Sequence, residues 1–91
     1  MVVLSPDFIV AHSTAFLAAP LTSKKTERVY SYEALVEPPD GGITKRSKVM
    51  LLHTRAIDEE RVLGRLGTVG QETMRAIENA LKVASGLTPV D

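Results

Sequence analysis

The sequence predicts an α+β domain with its strands first and a single helix last, built on a mainly antiparallel sheet or small barrel. Three observations lead there. Short apolar or alternating runs recur from Met1 to Leu52, each closed by Pro, Gly or polar turn residues. Val49 to Leu52 is an uninterrupted apolar run, the pattern of a strand buried on both faces. Met74, Ile77, Leu81 and Ala84 recur at helical spacing near the end. A chain of 91 residues is expected to form one domain, 1–91. With 44% hydrophobic residues, no Trp, two Tyr and two Phe, its core has to be aliphatic.

Taken in order, Met1–Leu4 reads as a first strand and Ser5-Pro6-Asp7 as a turn. Phe8–Ser13 fits either one helical turn or an irregular loop. TAFLAAPL, residues 14–21, reads as a second strand, with Pro20 putting it at an edge or a bulge. RVYSYEALV, residues 28–36, begins by alternating, with Val29, Ser31 and Glu33 on one side and Tyr30, Tyr32 and Ala34 on the other, as a strand with one wet face does. Pro38-Pro39-Asp40-Gly41-Gly42 is a loop signal. The buried strand follows and stops at His53-Thr54-Arg55, a polar rim of the kind where sites are found. Residues 61–66 read as a short strand or extended segment, and Gly64 and Gly67 suggest a close backbone approach or a bulge. Thr68 with Gln71 three residues on has the form of a capping box for a helix over 69–85, and Gly86 and Pro89 stop it.

Charge and composition narrow the function. Lys and Arg total 11 and Asp and Glu total 11, so no global excess of positive charge announces a nucleic-acid binder. The cations are nevertheless clustered, with Lys24, Lys25 and Arg28 in one group and Lys45, Arg46 and Lys48 in another, while acids gather at 58–60. Cysteine is absent, which excludes disulfides, thiolate metal sites and cysteine nucleophiles. No run approaches the ~18 apolar residues of a membrane span. The start MVVLSPDF has no basic leader, so a cytoplasmic location is the expectation.

Three blocks, VVLSPDF, APLTS and SKVMLLHTRAIDEERVLGRLGTVGQETMRAIENALKVASGL, together resemble the MazF/PemK (Kid) family of toxin endoribonucleases. The third block carries most of the resemblance: an apolar strand, an Arg-x-Ile-Asp turn, an Arg-x-x-Gly-x-Leu-Gly strand and a closing helix ending in Gly-Leu. The resemblance implies a small SH3-like antiparallel barrel with a C-terminal helix. It also implies a homodimer, restrained by a cognate antitoxin peptide, that cuts single-stranded RNA without a metal or other cofactor. The 2′-hydroxyl attacks its own phosphate in such chemistry. Of the family's two catalytic residues, the threonine matches Thr22. The arginine, in a Gly/Glu/Gln loop ending in Arg-Pro before VVLSPDF, has no counterpart in these residues, so an N-terminally shortened domain with an open sheet edge is expected.

The same resemblance makes Ser23, Lys24, Lys25, His53 and Arg55 candidate RNA contacts. Each also has a plainer role. Thr22 and Ser23 can be turn formers, Lys24, Lys25 and Arg28 a solvated loop, His53 a strand-end hydrogen bonder, and Arg55 a partner of Asp58. His53 falls where relatives carry a glutamine that touches RNA, and histidine is the side-chain type able to change charge near neutrality. The alternative to a ribonuclease is a chain of the same fold that binds antitoxin or another protomer without cutting RNA. A gyrase poison of the related CcdB branch is more remote, since APLTS and Arg-x-Ile-Asp match the ribonuclease side.

Overall fold

The computed structural model describes residues 1–58 and 67–87. Two three-stranded antiparallel sheets form from strands β1 (Val2–Val3), β2 (Ala15–Ala19), β3 (Leu21–Thr22), β4 (Glu33–Val36), β5 (Ser47–Met50) and β6 (Arg55–Asp58). Helix α1 spans Asp7–His12 and helix α2 spans Gln71–Ala84. The first sheet runs β1-β2-β6 and the second β3-β5-β4, so β2 and β5 are the central strands. The α+β class and the closing helix are as the sequence predicts, but the chain does not hold a single helix last, since α1 comes between β1 and β2.

Proline makes the second predicted strand into two. Residues 15–19 belong to the first sheet and 21–22 to the second, and the chain changes sheet at Pro20, which has no N–H to give to a ladder. The Pro20 carbonyl instead accepts the Met50 N–H at 2.9 Å, tying the crossover to β5. The segment predicted as a strand over 28–36 is extended only from Glu33. Before it the chain turns: the Glu33 N–H donates to the Tyr30 carbonyl at 2.9 Å, and the Tyr30 N–H donates to the Glu33 carboxylate at 3.1 Å. Phe8–Ser13, open between turn and loop in the sequence, falls largely within α1.

β5 is the buried central strand. Ser47, Lys48 and Val49 are all buried, but the burial does not extend through Leu52, which lies in a 3-10 turn over Leu51–His53 with 59% of its surface exposed. The main core joins Ala19, Ala34, Val36, Val49, Leu51, Ile77 and Ala80, and Met74, Leu81 and Ala84 pack against it, so the predicted helical stripe is the face α2 buries. Phe16, Ala18 and Ile57 form a smaller cluster under Val10 of α1.

α2 is capped two residues beyond the Thr68 that the capping box places at its head. Its N-cap is Gly70, which has no side chain, and the cap comes from the distant loop: Asp40 accepts the Gly70 N–H at 2.7 Å and the Thr73 hydroxyl. An anion at a helix N-terminus is favourable electrostatically as well as by hydrogen bonding. These donors hold the Asp40 carboxyl below the usual aspartate value, the Thr73 hydroxyl contributing most. Gly86 ends the helix as predicted. At φ +80° it lets its N–H reach the Val83 carbonyl and the Leu87 N–H reach that of Lys82, the paired bonds of a Schellman motif. Gly67 is also as predicted, since a Cβ there would sit 3.0 Å from the Gly41 backbone. The extended segment over 61–66, with Gly64, and Pro89 lie outside the described residues. Among the described residues no helix is long and apolar enough to cross a membrane.

Candidate functional site

β5 pairs with β3 through Thr22↔Lys48 and with β4 through Leu35↔Lys48 and Glu33↔Met50. Directly paired residues of an antiparallel sheet lie on one face. Thr22, Lys48, Met50, Glu33 and Leu35 therefore share the face of the second sheet opposite to the one that sends Leu21, Val49 and Ala34 toward the core. The candidate catalytic threonine stands on this outer face, at the edge, beside a lysine.

That lysine is not part of a solvated basic cluster with Lys45 and Arg46. Lys48 is only 5% exposed, and its Nζ donates to the Glu33 carboxylate at 2.9 Å and to the Arg28 carbonyl at 3.0 Å. Arg46 is also engaged, with Glu37 at 2.7 Å. The Glu33 side chain is 10% exposed. Burial alone would raise its pKa. The Tyr30 N–H, the hydrogen bond and charge of Lys48 and the more distant charge of His53 outweigh it, and the pKa lies below the ordinary 4.5. Sequence reading missed this pair. The signal was a lysine directly before an apolar run read as buried on both faces, a position that demands an anion.

What buries the pair is the turn preceding β4. Tyr30 and Tyr32 stack with ring centroids 5.3 Å apart and planes 3° from parallel. The Arg28 guanidinium carbon lies 4.9 Å from the Tyr30 centroid, and Lys48 Nζ lies 5.8 Å from it. Tyr30 keeps 41% of its surface exposed.

The loop after β3 supplies the other candidates. The Lys24 N–H donates to Thr22 Oγ1 at 3.2 Å, a local bond that shapes the turn, and Lys25 adopts φ +55°. Ser23, Lys24 and Lys25 are exposed. Ser23 also lines an open groove of about 420 Å³ with Leu21, Gly42, Ile43, Thr44, Lys45 and Ser47. His53 is exposed at the end of the 3-10 turn, near enough for its charge to act on Glu33. Arg55 stands apart from this set. It is in β6, in the other sheet, paired with Ala18, and lines a second groove with Met1, Ala56, Ile57 and Asp58. Thr22, Ser23, Lys24 and Lys25 thus cluster around one strand end and His53 lies toward Glu33 of the same sheet, while Arg55 does not join them.

Comparison with known proteins bears on both fold and function. Residues 1–84 match the family described as PemK-like, MazF-like toxin of type II toxin-antitoxin system. The chain is 36% identical over 84 residues to a probable endoribonuclease, MazF5, of Mycobacterium tuberculosis, covering 92% of this chain and 75% of that protein. Its fold superposes on the M. tuberculosis toxin MazF-mt6 with a TM-score of 0.84 at 22% identity, over 97% of this chain and 86% of the other. A mycobacterial endoribonuclease in complex with its cognate antitoxin gives a TM-score of 0.81 at 24% identity, over 97% and 81% of the two chains.

Proposed function

The chain belongs to the PemK-like, MazF-like toxin family of type II toxin-antitoxin systems, and on that premise we propose that it is the toxin of such a pair, a metal-independent endoribonuclease acting on single-stranded mRNA. The observation that carries this reading is a half-buried hydroxyl, Thr22, at a strand end beside the exposed Lys24–Lys25 loop, in a chain 36% identical to a probable endoribonuclease. A single domain acting in the cytoplasm, paired with a second copy and held in check by an antitoxin peptide, completes the proposal.

In this reading the 2′-oxygen of one nucleotide attacks the adjacent phosphorus while the bond to the 5′-oxygen breaks. The products are a 2′,3′-cyclic phosphate and a 5′-hydroxyl. One group must take the 2′ proton and one must return a proton to the leaving oxygen. Thr22 Oγ1 accepts the Lys24 N–H, so its own proton can be donated to a non-bridging oxygen as charge builds on the phosphorane. Lys24 and Lys25 neutralise neighbouring phosphates and Ser23 adds a hydrogen bond. His53, exposed at the end of the 3-10 turn, contributes an imidazole, a side chain able to take up or give a proton. Arg55, in its separate groove, is assigned to RNA further along the strand.

The experiment is cleavage of a long single-stranded RNA in EDTA, with Thr22→Ala as the comparison. Fragments with cyclic phosphate ends, reduced about 100-fold or more in rate by the substitution, are the expected result. The second reading, binding of antitoxin without catalysis, is favoured by the Thr22–Lys24 bond as a simple turn contact. Intact RNA with a folded protein would overturn the first and favour the second.

A further inference from the structure

The turn that covers the Lys48–Glu33 pair is more firmly held than a lid needs to be. Lys48 Nζ fixes the Arg28 carbonyl, the Glu33 carboxylate fixes the Tyr30 N–H, and the Glu33 N–H fixes the Tyr30 carbonyl. A nearly inaccessible ion pair thus anchors the backbone of Arg28 and Tyr30. The effect is to hold two stacked phenol rings and a guanidinium at the surface in one arrangement, with Arg28 exposed and Tyr30 41% exposed. Arg28, grouped in the sequence with Lys24 and Lys25, is exposed like them and in addition lies over the Tyr30 ring.

Aromatic faces and guanidinium planes are what unstacked bases of single-stranded RNA settle on, and rings already ordered lose little freedom in receiving them. The site also lies on the correct face: Lys48 reaches from beneath Tyr30 to its strand partner position beside Thr22. We propose that the Arg28–Tyr30–Tyr32 stack is a nucleobase subsite, in which a base of the substrate strand adds to the solvent end of the stack while the Thr22–Lys25 loop holds the backbone of a neighbouring nucleotide. This rests on the ribonuclease reading above and extends it to the substrate's bases. Stacking of this kind accepts any base, so the subsite contributes affinity and register and leaves sequence choice to other contacts.

The chain carries its own reporter. It has no Trp and two Tyr, both in the stack, so intrinsic tyrosine emission reports on this site alone. The probe is a mixed-sequence 2′-O-methyl oligoribonucleotide, which cannot be cut for want of a 2′-hydroxyl, compared with the same backbone carrying abasic residues. The base-bearing strand is expected to quench the emission and to bind about 5- to 150-fold more tightly than the abasic one, the range for stacking of one base. Tyr30→Leu, which keeps an apolar cover over the ion pair, is expected to abolish that difference, and Tyr30→Phe to retain it. Equal binding of the two strands by the parent chain, or a difference that survives Tyr30→Leu, overturns the subsite. If the parent also cleaves long RNA, the ribonuclease reading stands without it. A base-dependent difference centred on Tyr30 in a chain that cuts nothing supports the subsite and removes catalysis. Binding of neither strand, with no cleavage, overturns both.

Discussion

Replacing Lys48 by Met tests whether the Lys48–Glu33 pair holds the site together. At 2.9 Å and an effective dielectric constant of about 20, the attraction is about 6 kcal/mol before desolvation is counted. Most of that is offset by the cost of removing both charges from water, so the pair itself adds little over an apolar one. Removing one partner is different, because Glu33, 10% exposed, would keep its charge without its cation. The expected loss is about 3 kcal/mol, at the lower end for broken buried pairs because the site lies near the surface. For a domain of this size that lowers Tm by roughly 12–24 °C, measured by far-UV circular dichroism at pH 7. Glu33→Leu with Lys48→Met should recover much of the loss. pH supplies an independent arm. The Glu33 pKa is depressed in the folded protein, so its contribution is present above the ordinary value of 4.5 and is lost as pH falls through the lower folded value. The parent should therefore lose stability on acidification below about 4.5, whereas Lys48→Met should lose less or gain, because protonation then relieves an unpaired charge. A Lys48→Met protein within about 1 kcal/mol of the parent, with an unchanged acid profile, would refute the idea that this pair is desolvated and structural.

Asp40→Ala should expose the Gly70 amide and loosen the first turn of α2, read as faster hydrogen exchange there and a lower Tm; the depressed carboxyl predicts the same fraying in the parent as pH falls below the ordinary aspartate range. Gly67→Ala should cost about 1–3 kcal/mol, because its Cβ would press on the Gly41 backbone and neither segment has a flexible side-chain end to yield; a denaturant melt showing no change would count against that packing. Lys24→Gln with Lys25→Gln should weaken binding of single-stranded RNA uniformly across sequences and lower the slope of log K against log salt by about 0.7 for each phosphate no longer neutralised, with Tm nearly unchanged.

Much of this protein is legible in its sequence because periodicity and turn chemistry are local. The Met74–Ala84 stripe faces the core because 3.6-residue spacing admits one buried face, and Gly86 stops the helix because a positive φ is cheapest without a Cβ. The α+β order and the family resemblance also follow from residues read along the chain, and so does the Thr22 loop. What the sequence did not decide are contacts across it. Whether Pro20 bends one strand or passes the chain between two sheets depends on which neighbours are available. Asp40 caps a helix 30 residues away, where a local Thr68–Gln71 box fits the sequence equally well. Lys48, grouped with Lys45 and Arg46 by proximity, is buried on the outer face of its sheet because strand pairing puts Glu33 within its reach, and Tyr30 with Tyr32 leaves the alternating pattern to close over them. Arg55, two residues from His53, belongs to a different sheet from Thr22. Each of these depends on a register or a desolvated charge, and such terms have no value until distant segments meet.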